Sequence, residues 1–461
     1  MKSNFIQTIK NIYKITELRD KILLTLGLLL VYRIGTHIPL PGINPLGIEA
    51  YMAQLQAAGE QQNGLLSIIS AFTGGAFTRA TLLGLGIMPY ISASIVLQLM
   101  GMAVPYLQKL QNDGESGRKT LNQITRWLTI AICLVQAPSY LIMFQSMIIP
   151  MEQAPQAYYS FASSSWFYPV ATLILVTGTM FTMWLGEKIT DKGIGNGISL
   201  IIMVGIIATL PQAIIEEFNY QVNLGENGGY VFVLIEAILW LLVILASVLL
   251  VKAVRRVTVQ YAKRVQASGS SYTRSVTNAV RDYVPLKVNA AGVMPIIFAQ
   301  AIVLLPVQVG SYFVGNDPEK MSILSDFGKL DGIAYNITFA ILIIIFTFFY
   351  TAITIPVNQM ADGLKRSGGF VPGIKPGLET SNYLDDILSK ITFPGAIFLA
   401  IIAILPGIVM NFGIQQNFAM FFGGTSLIIL VGVAIDTIQQ INAYLLNHHY
   451  DGLMESGRAK H

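Results

Sequence analysis

Residues 230–265 read YVFVLIEAILWLLVILASVLLVKAVRRVTVQYAKRV. The first part, 230–251, is an apolar run broken by a single acid, Glu236, and wound as a helix it is long enough to cross a hydrocarbon layer. Then the chemistry changes. Arg255, Arg256, Lys263 and Arg264 stand close together, and Val257, Thr258, Val259, Gln260 and Tyr261 alternate between apolar and polar as a short strand does. A membrane helix running directly into a basic strand-like stretch defines a protein that lives in lipid and presents worked structure at its surface.

The rest of the chain repeats the first half of that pattern. Of 461 residues, 53% are hydrophobic and only 12% charged, and the mean hydropathy of +0.59 lies outside the soluble globular range. About ten apolar runs of membrane-spanning length lie near 22–38, 80–104, 127–147, 166–186, 194–211, 230–251, 289–309, 335–357, 391–411 and 419–441. Unsatisfied peptide groups are too costly in lipid, so such runs predict an all-α polytopic bundle. The first run has no small-residue cleavage site and reads as a retained span. Before it, residues 1–21 form a cytoplasmic amphipathic segment with Phe5, Ile9 and Ile12 on one face and Lys10 and Lys14 elsewhere.

If the spans alternate from a cytoplasmic N-terminus, 25 of the 29 Lys and Arg fall on the cytoplasmic side, and only Arg79, Lys320 and Lys329 lie opposite, with Arg33 inside a span. Such asymmetry places both termini, including the tail 442–461, in the cytoplasm. The outer segments 148–165 and 212–229 carry no Lys or Arg and read as plain connectors. The inner loops 252–288 and 358–390 are long, basic and rich in turn residues, as functional loops are.

Chemistry is sparse. Cys133 is the single cysteine, the histidines (His37, His448, His449, His461) form no HExxH, and no phosphate-binding loop occurs, so no metal or cofactor is expected and energy must come from a partner or a gradient. A ten-helix secondary transporter is the competing class, but it needs an ionisable site at the midplane. Glu236 and Asp436 sit toward span ends, and no acidic pair or Asp/Glu/His relay is expected at a midplane. The constellations of an intramembrane protease are absent too, so no catalytic residue is assigned.

Two regions are unusual. Residues 64–74 are apolar but half a span long, and Gly74, Gly75 and Arg79 separate them from the next run. They fit a short helix dipping in from the outer side, or equally a helix lying on the outer leaflet. Spans two and seven carry Pro89, Ser92, Ser94, Gln98 and Asn289, Gly292, Pro295, Gln300 respectively, a composition suited to a moving interface or to ordinary helix packing.

Nine stretches taken in order carry a family resemblance: YRIGTHIPLPGI (32–43), FTGGAFTRA (72–80), LGIMPYISASIVLQL (85–99), DGESGRK (113–119), GTMFTMWLGEKITDKGIGNGISL (178–200), RRVTVQYAKR (255–264), PLKVNAAGVMPIIFA (285–299), LKRSGGFVPGIKPG (364–377) and FGGTSLII (422–429). The chain resembles the SecY/Sec61-alpha family of protein-translocation channels over essentially its whole length. The resemblance implies a passive pore in the bacterial cytoplasmic membrane between two pseudo-symmetric halves of five helices, 22–211 and 230–441, joined by an outer hinge at 212–229. Unfolded secretory chains cross through it, and apolar helices leave it sideways into membrane lipid.

Carried over residue by residue, the resemblance puts the pore ring on Ile87, Ile91, Ile198, Ile202, Ile297 and Ile429. It puts the plug on Gly64, Leu65, Leu66, Ile68, Ile69 and Phe72, and the lateral gate on Ser92, Gln98, Gln136, Asn289 and Pro295. Ribosome or motor docking falls on Arg255, Arg256, Lys263, Arg264, Lys287, Lys365, Arg366 and Lys375. The implied partners are SecE and SecG, the SecA ATPase, the ribosome through its RNA phosphates, and signal sequences with their nascent polypeptides. Taken singly, each isoleucine would read as core or lipid-facing, and the excess charge as topology alone. Two departures stand out: Lys375 replaces the Arg usual in the family's PGIRPG turn, keeping charge but losing bidentate geometry, and Val251-Lys252-Ala253-Val254 lacks the acid often found before Arg255.

Overall fold

The computed structural model describes residues 15–57, 70, 73–223, 229–261, 281–300, 302–303 and 332–458. The amphipathic segment before residue 15, the six plug positions, Lys263, Arg264 and the far end of the seventh apolar run lie outside the described residues.

Helices dominate, as lipid requires. In chain order they are α1 (Thr16–Gly35), α2 (Pro45–Ala57), α3 (Met88–Ala103), α4 (Pro105–Asn112), α5 (Gly114–Met143), α6 (Phe167–Lys192), α7 (Gly197–Asn223), α8 (Tyr230–Lys252), α9 (Ile333–Thr354), α10 (Val357–Arg366), α11 (Leu378–Met410), α12 (Gln416–Ala419) and α13 (Gly424–Arg458). Helical backbone also covers 294–300 and 302–303. Among the described residues, seven helices are long and apolar enough to span, and α3 with α4 forms a further pair bent by 105°. The bend sits at Val104, whose extended backbone (φ −105°, ψ 113°) is what a following proline demands. Together with the charge-bearing α1 and the partly described run from 289, these account for the ten runs read from sequence.

α8 shows what organises the bundle. Leu234, Leu241, Leu245 and Leu249 are exposed along it, while Glu236 and Ser247 are buried. This is the soluble pattern turned inside out: hydrocarbon replaces water outside, and polar groups turn inward to find partners. Small residues allow close approach elsewhere. A Cβ on Gly178 of α6 would overlap the Leu82 carbonyl, and one on Gly197 of α7 would overlap the Gly186 carbonyl of α6, whereas one on Gly27 of α1 would meet nothing within 4 Å.

Three boundaries differ from the sequence reading. The second span, read from residue 80, becomes helical only at Met88. Residues 80–87 instead turn back against 38–40 through Leu82 N–H to the Ile38 carbonyl (2.8 Å), with Ala80 (φ 44°) and Gly86 (φ 55°) in left-handed backbone. The outer segment 212–229, read as a loop, is helical through Asn223, because i,i+4 side-chain bonds from Gln212 to Glu216 (2.9 Å) and Gln221 to Glu217 (2.6 Å) carry α7 past Pro211. The connector 148–165 is not plain either. Its Tyr158 bridges to Ile43, donates to the Ile149 carbonyl and packs in a buried cluster with Phe144, Phe167 and Tyr140; burial pushes its phenol up, so it stays neutral.

Gly197→Val should therefore lower the yield of monodisperse, folded protein in detergent severely, since overpacking an interface typically costs about 1–3 kcal/mol or more. Gly27→Val should leave the fluorescence-detected gel-filtration profile unchanged.

Candidate functional site

Four helical stretches that are distant in sequence contribute isoleucines to one extended apolar cluster. Ile87 and Ile91 lie at the start of α3, Ile198 and Ile202 one turn apart on α7, Ile297 in the helical stretch 294–300, and Ile429 on α13. Ile87, Ile91, Ile202 and Ile429 are buried in one apolar cluster, and Ile198 and Ile297 pack against it half-buried. Branched aliphatic side chains have no hydrogen bond to offer, so this centre can close by excluding water and part without breaking a specific contact.

Around that centre, polar groups mark where helices meet. Tyr350 of α9 donates its hydroxyl to Gln98 Oε1 of α3 (3.0 Å), and Gln98 Nε2 in turn donates to Ser94 (3.4 Å). The structure thus pairs Gln98 with Tyr350, a residue that the sequence reading did not single out because a tyrosine in an apolar run carries no signal by itself. Of the other gate positions, Ser92 and Gln136 are half-buried and Pro295 is buried. Asn289 is buried with an unpartnered Oδ1.

The segment after the plug positions is anchored to α1. Gly74 (φ 64°) and Gly75 (φ 84°) form a turn in backbone that favours glycine, with Gly75 N–H bonded to the Ser70 carbonyl (2.8 Å). Arg33, read as a lone charge in the first span, donates to the Gly74 carbonyl (2.9 Å) and to Thr36 Oγ1 (3.3 Å).

At the opposite end, the two basic loops become one object. β1 (Val254–Tyr261) pairs antiparallel with β2 (Arg281–Lys287) and with the two-residue β3 (Gly369–Phe370), giving the sheet order β2-β1-β3. Alternation along β1 does the work: Val257 and Val259 are buried with Leu286, Val371 and Leu384, against α10 and α11. Arg255, Arg256 and Lys287 stay exposed, as do Lys365 and Arg366 in the last turn of α10. Lys375 is exposed and lies 3.7 Å from Glu379.

An acidic pair also appears that the sequence reading missed. Glu217 on α7, Glu236 on α8 and Gln221 between them are all buried. Glu217 had been assigned to a loop, and only its i,i+4 spacing to Gln221 hinted otherwise.

Architecture and site together define a multi-pass helical membrane protein with an apolar interior, polar contacts between helices and a basic three-stranded sheet. Residues 81–438 match the family model SecY. The chain is 38% identical to the protein translocase subunit SecY of Chlamydia trachomatis, over 98% of this chain and 99% of that one, and 39% identical to that of Vibrio cholerae, over 97% and 96%. The chain belongs to the SecY family. Its fold is similar to a structure described as that of a protein conducting channel (TM-score 0.62, 17% identity, 92% and 91% coverage) and to Sec61 in the canine ribosome-channel complex (TM-score 0.58, 17% identity, 92% and 91%). No relative is named for a catalytic activity among these.

The Gln98–Tyr350 bond should behave as one unit. Tyr350→Phe and Gln98→Ala should each destabilise the protein by about 1 kcal/mol and the double variant by little more. A thermal-unfolding double-mutant cycle reads the coupling, and fully additive losses would mean that the bond contributes nothing.

Proposed function

We propose that the chain is the pore subunit of a bacterial protein translocase, passing unfolded secretory polypeptides across the cytoplasmic membrane and releasing apolar helices sideways into lipid. The observation that carries this reading is the convergence of Ile87, Ile91, Ile198, Ile202, Ile297 and Ile429 from four separate helices on one apolar cluster. A pore that must accept many sequences needs a collar that grips none of them. Six aliphatic side chains seal by dewetting and yield around a chain of any composition.

The remaining parts take roles around that collar. Gly64, Leu65, Leu66, Ile68, Ile69 and Phe72 plug the outer funnel at rest, with Arg33 holding the Gly74 end. The side exit opens where α3 and α5 part from α9 and the 289–303 segment, using Ser92, Gln98, Gln136, Asn289 and Pro295, and the Gln98–Tyr350 bond is one of the contacts that must break. Two halves, 22–211 and 230–441, are joined by the outer segment 212–229 and move about that join.

The exposed cations Arg255, Arg256, Lys287, Lys365 and Arg366, with Lys375, and Lys263 and Arg264 in the same loop, form the docking face for the ribosome and for the SecA motor. Contact with ribosomal RNA phosphates there is electrostatic and falls with salt. SecE and SecG are the small membrane partners, and both termini are cytoplasmic. The chain performs no catalysis; chain elongation or the motor's ATP hydrolysis supplies the energy. The secondary-transporter reading is set aside, since the family match runs the length of the chain.

Two experiments test this. Replacing Ile87, Ile91, Ile202 and Ile297 together by glycine should make reconstituted channels leak small ions at rest, and conductance equal to that of the parent would remove these residues from the seal. Reversing Arg255 and Arg256 to glutamate should reduce ribosome co-sedimentation at physiological salt by about tenfold or more while membrane insertion is unaffected, in line with the loss of phosphate contacts.

A further inference from the structure

The buried acids lie at the outer join between the proposed halves. Gln221 Nε2 on α7 donates to Glu217 Oε1 (2.6 Å), to Glu236 Oε1 on α8 (3.2 Å) and to the Gly413 carbonyl (3.3 Å) in the turn after α11. The other Glu217 oxygen, Oε2, accepts from the Gln415 N–H of that same turn (2.8 Å). Three chain segments therefore meet around two carboxyl groups and Gln221: α7, α8 and the 411–416 turn. Glu217 and Glu236 are 2% and 3% exposed, so water does not solvate them. Among the described residues, Glu236 Oε2 is buried and accepts no hydrogen bond.

Their charge is uncompensated. Among the described residues, neither acid forms an ion pair, and the only charge acting on Glu236 is Glu217. The titratable groups on the surrounding elements are otherwise engaged or turned outward. Glu216 accepts from Gln212 and Asn417, Tyr220 and Tyr230 are exposed, and the stretch 411–419 of the turn and α12 has none. On the other elements packed against α7, Arg33 is bonded to Gly74, His37 just after α1 is exposed, and Asp436 of α13 is exposed. Two carboxylates whose oxygens touch one amide nitrogen, away from water and cations, cannot both stay ionised.

We infer that Glu217 and Glu236 hold a single shared proton, and that this carboxyl–carboxylate pair is a pH-sensitive clasp fastening α7, α8 and the 411–416 turn at the outer hinge of the channel. The proton comes from the medium, and the sign of its effect follows. With one proton bound, one carboxyl group donates to the other instead of repelling it. When the medium becomes alkaline enough to remove that proton, two buried negative charges repel, and the clasp loosens. Stability is thus present at low pH and lost as pH rises. The hinge role rests on the two-half channel reading; the shared proton does not.

The test uses the full channel complex in lipid. Infrared difference spectra should show a protonated-carboxyl stretch that disappears on alkaline titration and is absent in Glu236→Gln, which keeps the size and a hydrogen-bond donor but cannot titrate. The melting temperature of the parent should fall as the medium is taken from about pH 6 to about pH 9, and the E236Q variant should lose that fall while matching the parent at the acid end. A parent without the infrared band, or an unchanged pH dependence in E236Q, overturns the shared proton. Recovery of the alkaline loss by added Na⁺ or Ca²⁺ in the parent but not in E236Q would mean that a cation is bound instead, and also overturns it. Resting ion leak measured across the same pH range separates the second claim. Leak that rises with pH in the parent and not in E236Q supports the hinge role, and a titrating pair without any change in leak refutes that role alone.

Discussion

A peptide group left bare in hydrocarbon costs several kcal/mol, and everything in this protein is arranged around never exposing one. Helices satisfy their own backbone, and that frees side chains from the task. On α8 the consequence is visible residue by residue, with leucines turned to lipid and Glu236 and Ser247 turned inward. Where the helix is interrupted, side chains and neighbouring backbone take over. The non-helical stretch 77–87 is held by the bonds of Leu82 N–H to the Ile38 carbonyl and Leu40 N–H to the Ala80 carbonyl and by the Tyr140 hydroxyl on the Phe77 carbonyl (2.7 Å). Irregular backbone at membrane depth is tolerated only because it is wrapped in this way.

The same solvent inversion separates the interior into two kinds of contact. In the interior, isoleucines join a wholly apolar cluster whose contacts have no directionality. At the seams, directional bonds such as Tyr350 to Gln98 and Arg33 to Gly74 fix which helix faces which. A passage that is to open for many chains and rest in one closed form needs both: contacts indifferent to substrate in the middle, and specific contacts at the margins to define the resting arrangement.

Much of this was legible in the sequence, and the exceptions have physical causes. Apolar run length located the helices, because the hydrocarbon thickness imposes it, and period-two alternation located β1, because Val257 and Val259 must face the core beneath the sheet. Charge asymmetry marks the basic loops, but cannot show that Gln260 pairs with Phe370 from a loop more than a hundred residues away, since pairing partners leave no local mark. The start of α3 was misplaced because hydropathy does not distinguish an apolar helix from an apolar turn; Gly84 and Gly86 were the available cue. The helical end of α7 was read as a loop for the opposite reason: its polar residues satisfy one another, and Glu217 looked like a solvent residue until α8 and the 411–416 turn closed over it. The individual isoleucines carried no local signal at all, and only resemblance to the family singled them out.

The small sheet has a mechanical side. β1 continues directly from the end of α8 at Ala253, β2 leads into the segment entering the seventh span, and β3 stands between α10 and α11. Three membrane segments are therefore coupled through one hydrogen-bonded handle outside the lipid. A load applied to its edge is not absorbed by a slack loop but passes as torque to the helices that the sheet joins.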